Sequence, residues 1–248
     1  MAVTKFYFSS ERPMGIAPAI DGGWTRTADF TASDILRMSP TKDGSALSNF
    51  TTWGNTGPAA NATALMAQLI SDPMIAGIAF ATTDTFAGQM LCQESAVNDN
   101  INRLPIAIKV FSEDGLTLRA TLKALGAYGP NTTEWVAGTL TNKTISTSTV
   151  LGANYTSVLG DRLVIEIGSQ VSSAGGTSVT GTQQLGSSSS TDLPVDETTT
   201  AADNAWISFT LASGSITFAT ERFDWWQQTN QPVMEREAMV GSGSRGIR

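Results

Sequence analysis

Apolar and polar residues alternate through much of the chain in short runs, punctuated by glycine, proline, asparagine and aspartate. The sharpest run is Gly160-Asp161-Arg162-Leu163-Val164-Ile165-Glu166-Ile167-Gly168, in which Leu163, Ile165 and Ile167 face one side of an extended strand and Val164 and Glu166 the other. Ile101 to Phe111 alternates through Ile106, Ile108 and Val110, and Leu116 to Leu122 alternates again after Ser112-Glu113-Asp114-Gly115. An Asp-Gly pair supplies the positive φ of a tight turn, so these two runs read as a hairpin. Further strands are predicted over Lys5 to Ser9, Gly88 to Glu94, Glu134 to Leu140, Trp206 to Leu211 and Ile216 to Phe218. Met74 to Ala81 is apolar throughout, as in a strand covered on both faces. Thr139 to Thr156 is rich in β-branched residues and favours extended structure with an exposed polar face. Val171 to Gly186 reads as an edge strand with long loops.

Helical signals are few. Ala62, Leu65, Met66, Leu69 and Ile70 fall at helical spacing, but a strand through Leu65 to Ile70 fits equally well, and the pattern leaves both open. Thr31-Ala32-Ser33-Asp34 carries the residues that cap a short helix. Thr41 to Ala60 is loop-like. Short strands at close spacing with glycine turns predict an all-β, two-sheet β sandwich, jelly-roll-like, over residues 1–222. Residues 223–248 change character and read as an extended C-terminal arm. Its adjacent Trp225 and Trp226 are costly to leave in water, so Phe223, Trp225, Trp226, Pro232 and Met234 are the candidate partner-binding residues.

Composition narrows the chemistry. None of the 248 residues is histidine, which removes Ser-His-Asp and Cys-His catalysis and imidazole metal ligation. The lone Cys92 has no partner within the chain and sits in a run expected to be buried. Net charge is −7 with only 15% charged residues, so a basic nucleic-acid-binding face is not expected. The start of the chain lacks a signal-peptide pattern and no apolar run is long enough for a membrane helix.

Four residue groups invite a functional reading. Asp161 and Arg162 open the sharpest strand, where a turn with Arg162 paired to Asp161, Glu166 or a cross-strand acid is the plainer expectation. Asp192, Asp196, Glu197 and Asp203 form the densest acidic cluster; their spacing matches no calcium loop, and a solvated loop is expected. Gly175-Gly176-Thr177 and Gly241-Ser242-Gly243-Ser244 lack the residues of a phosphate loop. Trp24, Trp53, Trp135 and Trp206 would line a sugar-binding face if they shared one, and otherwise belong to the core. No catalytic residue, cofactor or metal is predicted.

The Gly160–Gly168 run, with Thr180-Gly181-Thr182, Asp192-Leu193-Pro194 and Asn204-Ala205-Trp206-Ile207-Ser208-Phe209, resembles a recurrent module of tailed-bacteriophage virion structural proteins. Lys5-Phe6-Tyr7-Phe8, Ala17-Pro18-Ala19, Gly23-Trp24, Gln68-Leu69-Ile70-Ser71-Asp72-Pro73 and the Asp114-Gly115 hairpin extend the resemblance over roughly residues 4 to 210. Ala205 stands where the family usually has proline and Ser208 where it has glutamate. The family has no settled activity, so no functional residue carries over. The resemblance implies a virion structural protein assembled in the host cytoplasm; the acidic, His-free, Ser/Thr/Gly-rich β chain and its amphipathic tail favour a non-enzymatic capsid decoration or cement role. Its expected partners are other virion proteins (major capsid protein or tail proteins) and further copies of itself, as in a trimer, with no nucleic acid or membrane. A tail or fibre module that binds carbohydrate is the alternative.

Overall fold

The computed structural model describes residues 1–9, 15–42, 44, 50–52, 59–97, 99–130, 134–172 and 179–219. The chain is all-β. Its strands are β1 (Ala2–Ser9), β2 (Ile35–Ser39), β3 (Phe50–Thr52), β4 (Thr63–Ser71), β5 (Ala79–Phe80), β6 (Thr85–Glu94), β7 (Ile101–Arg103), β8 (Pro105–Phe111), β9 (Leu118–Ala127), β10 (Thr141–Val150), β11 (Tyr155–Thr156), β12 (Arg162–Val171), β13 (Gly181–Gln184) and β14 (Trp206–Leu211).

Two sheets form the body, joined through β1. The first half of β1 pairs with β14 and its end, Tyr7 to Ser9, pairs with β2. The first sheet runs from β1 through β14 to β6, which also pairs with β13 and, on its other side, β10; β3 joins β13. The second sheet runs β2-β4-β12-β8-β9, with β7 on the end of β12. The chain crosses from one sheet to the other repeatedly, β4 to β6, β6 to β7, β9 to β10 and β12 to β13, as in a jelly-roll-like sandwich. Leu163, Ile165 and Ile167 enter the main core with Phe6, Met66, Phe86, Met90, Ile108, Ile207 and Phe209.

The outer face of the second sheet is covered as well. Val164, Ile70, Phe111 and Ile35 form a separate apolar cluster under Ile16 and Phe30. The segment from Gly15 to Asp34 therefore acts as a strap, tied to β4 by Arg26 N–H on Thr63 O and Leu65 N–H on Arg26 O, both 3.0 Å. Double coverage makes Ala64 to Ser71 buried without a break, which resolves Ala62–Ile70 as a strand. A strand covered on both faces loses its period-two signal.

Several expected strands are shorter or absent. Met74 to Ala81 contributes only β5, because Gly77, at φ +89°, turns the chain. Glu134 to Leu140 forms no strand; it makes one bridge, Ala137 to Glu94, and turns at Gly138. Ile216 to Phe218 reduces to a bridge between Phe218 and Met74. β13 lies between β3 and β6 and is not an edge. In the predicted hairpin Gly115 takes positive φ, but of Leu116, Leu118, Ala120 and Leu122 only Leu122 is buried, since register shifts along β9 break the alternation. Thr31 caps a single 3-10 turn, Ala32–Asp34, with a reciprocal Thr31–Asp34 capping box. The compact body ends at Phe218. The arm residues Phe223, Trp225, Trp226, Pro232 and Met234 lie outside the described residues.

Candidate functional site: the Glu166 hub and the acidic loops

The motifs quoted above, far apart in sequence, meet at one carboxylate. Glu166 is fully buried on the strap side of β12. Its Oε2 accepts the Trp24 indole N–H at 2.6 Å, and the Asp21 backbone N–H is shared between both oxygens at 3.1 Å. Oε1 also takes the Lys109 ammonium at 3.1 Å and the Gln68 amide at 3.5 Å. Gln68 in turn donates to Pro18 O at 3.2 Å. Lys109 completes the set by pairing with Asp21 Oδ2 at 3.2 Å. Burial works against ionisation of Asp21, but the Gly23 N–H and Lys109 outweigh it and hold the carboxyl below its ordinary range.

Gly168 explains why this constellation closes. At the bulge between Ile167 and Gly168, a Cβ on residue 168 would sit 1.9 Å from Ala64 O and 2.6 Å from Trp24 Cζ3. Only a residue without a side chain lets the indole lie flat enough to reach Glu166. The hub therefore fastens the strap to the sheet. A buried ion pair contributes little net stability but makes loss of either partner expensive. With its oxygens occupied by four donors and no exposed surface, Glu166 is a fastening group and not a catalytic one.

The Asp161–Arg162 pair also works structurally. Asp161 is buried and accepts the Tyr155 hydroxyl and the Val158 N–H, with Arg119 at 3.6 Å. Arg162 donates to the carbonyls of Glu113 and Ser71. A shallow polar groove beside them is lined by Ser112, Glu113, Asp114, Arg119, Leu159 and Asp161.

The acidic cluster of residues 192–203 disperses. Asp192 pairs with Lys5 at 2.8 Å and Lys42 at 2.6 Å and accepts the Tyr7 hydroxyl, while Lys5 lies 4.4 Å from the Trp206 ring centre. Burial, then the bond to Asp192, pushes the Tyr7 phenol up to about 12. Asp196 accepts from Thr199, Thr198 and Asn142, which lowers its carboxyl to about 2. Glu197 takes the Thr144 N–H at 2.7 Å, and Thr199 O takes that of Asn142 at 2.7 Å, so this loop closes the outer edge of β10. Asp203 is held by Ser189 and Thr191. Among the described residues no three acidic or sulfur ligands converge as a metal site.

Trp24, Trp135 and Trp206 are buried in three different settings and present no common sugar-binding face; Trp53 lies outside the described residues. Cys92 is fully buried, and burial pushes its thiol far above its ordinary range. Among the described residues no helix is long and apolar enough to cross a membrane.

No family model matches the chain. No curated protein matches it either. Among solved structures, it is similar to that of the infectious bursal disease virus Gt strain at 14% identity and a TM-score of 0.34, over 80% of this chain and 37% of that one. The Gx strain gives 13% identity and a TM-score of 0.34, over 80% and 37%. The VP2 subviral particle of that virus gives 13% identity and a TM-score of 0.30, over 81% of this chain and 44% of that one. The chain thus spans less than half the length of these structures.

Sequence reasoning singled out Glu166 for its place in the strand and as one possible partner of Arg162. The stronger signal was available: Lys109 and Glu166 each interrupt an apolar run, and two opposite charges so placed imply a covered face with a pair in it.

Proposed function

We propose that this chain is a non-enzymatic bacteriophage virion structural protein that decorates the capsid shell. Its rigid two-sheet body seats on the shell and the segment 223–239 clasps neighbouring subunits, with Trp225 and Trp226 as anchors. The observation that carries this reading is how the body spends its clustered acids. The carboxylates of the Glu166 hub and of the 192–203 loops are engaged in tying loops to strands. Binding capacity then falls to the apolar, aromatic segment past the end of the compact body. The resemblance of the Gly160–Gly168 run to phage structural proteins points the same way. The separate burial of Trp24, Trp135 and Trp206 gives the carbohydrate-binding alternative no shared face among the described tryptophans.

Removing Phe223 to Arg248 tests the clasp. The truncated protein is expected to fold, since the compact body ends before the cut, and to be absent from particles assembled in its presence. Full occupancy of shells by the truncated protein contradicts the proposal.

A further inference from the structure

A second buried glutamate lies where the two sheets meet. Glu94, at the end of β6, is 1% exposed. Its Oε2 accepts the Ile101 N–H of β7 at 3.2 Å, which links the first sheet to the second. Its Oε1 meets no hydrogen-bond donor. The side chain that acts on this carboxyl is that of Glu134, an exposed acceptor that takes the Asn100 N–H at 3.0 Å. Two carboxylates facing one another have no proton between them and repel, whereas one carboxylic acid and one carboxylate make a strong bond.

Among the described residues, the elements packed around the pair contribute a further acid, uncharged side chains and one lysine, Lys143 of β10. Asp99, from the loop after β6, is buried nearby and committed to Ser95, Ala96 and Thr180. β13 brings the uncharged Gly181 and Thr182 alongside Glu94 and Gln93. From β10, Lys143 reaches the Glu134 backbone carbonyl at 3.4 Å and the Glu197 carboxylate at 3.7 Å.

We propose that Glu94 is held as a carboxylic acid that donates to Glu134, and that losing this proton releases the segment Glu134 to Gly138 from the seam between the sheets. That segment is bound to Glu94 on both sides of its backbone, by Glu94 N–H on Val136 O at 3.3 Å and Gly138 N–H on Glu94 O at 2.8 Å. It carries the buried Trp135, whose N–H bonds Ile101 O at 2.7 Å and whose ring packs where a Cβ on Gly181 would lie 3.0 Å away. Trp135 Nε1 has no partner, so the ring is held by packing and by this segment alone. The catch holds independently of the assembly role.

Burial first, then the neighbouring Glu134 and Asp99 charges, pushes the Glu94 carboxyl up to about 8, against the single opposing bond from Ile101. A raised value means that the folded chain keeps a proton the unfolded chain releases near its ordinary 4.5. The stabilisation is therefore full below that ordinary value and is lost as pH rises through about 8.

The test compares the full chain with Glu94→Gln, whose amide donates to Glu134 without any proton to lose. Urea unfolding from pH 5 to 9 reads stability, and hydrogen exchange of the 134–138 peptide reads the catch. In the parent chain the folded-to-unfolded ratio is expected to carry a fall of up to about tenfold per pH unit between pH 5 and 8 that Glu94→Gln lacks. Exchange of the 134–138 amides should accelerate above pH 8, beyond the intrinsic base effect, in the parent only. Identical pH profiles for the two proteins overturn the proposal. If Glu94→Gln does not fold, carbon-detected titration of the parent decides: a glutamate titrating near pH 8 supports the retained proton, and all glutamates titrating below pH 6 overturn it.

Discussion

Glu166 and Glu94 sit on β strands with almost no exposed surface, yet they are accommodated in opposite ways. Glu166 is surrounded by donors from the strap and from β4 and β8, and one of them is the ammonium of Lys109. Glu94 meets a single backbone donor and two further acids. Burial is the same in both places, so the difference lies in the partners. A ring of donors turns a buried carboxylate into a fastening point, whereas a second acid turns it into a proton store. The first region is fastened by its donors, and the second depends on a proton.

Making one substitution at both positions is the sharpest way to break this comparison. Glu166→Gln leaves Lys109 with a weakened partner set and is expected to lose about 3–5 kcal/mol of stability by urea unfolding at pH 7. Glu94→Gln at pH 9 is expected to move the other way, with a gain on the order of 3 kcal/mol, because it removes a buried charge that meets one backbone donor and two further acids. Equal signs would show that burial alone, and not the partner set, governs both sites. Gly168→Ala probes the hub without touching charge. The new methyl meets Ala64 O and the Trp24 ring, and a loss of about 3 kcal/mol is expected, with Trp24 shifted off Glu166. A near-neutral effect there would mean that the strap is not clamped through Trp24.

The fold was legible wherever one face of a strand is wet or semi-exposed or where alternation survives. Leu163, Ile165 and Ile167 entered the core as their spacing required, and Val164 and Glu166 took the other face. Legibility failed where a tertiary cover erased the period. β4 is buried on both faces by the core and the strap, so Leu65, Met66, Leu69 and Ile70 matched a helix as well as a strand. Apolar content alone also misled, since Met74 to Ala81 is apolar yet turns at Gly77. Trp135 was expected on a strand, but its segment is fixed by one bridge to Glu94 and a backbone hydrogen bond to Ile101.

The hub was less legible than the strands. Of its parts, Gly23-Trp24, Gln68, Glu166 and Gly168 were visible separately, but which of them touch depends on the strap crossing the sheet. The lone charges in two apolar strands were the clue available. The dispersal of Asp192, Asp196, Glu197 and Asp203 was not readable, because each is claimed by a different strand or loop.

The central claim, that the chain serves a particle and not a reaction, is tested most directly by a density map of purified particles assembled in its presence. The account predicts the two-sheet body at regular positions on the shell, in stoichiometric copies, with density from residues 223–239 continuing onto a neighbouring subunit. Particles of full infectivity that contain no copy of this chain would contradict it.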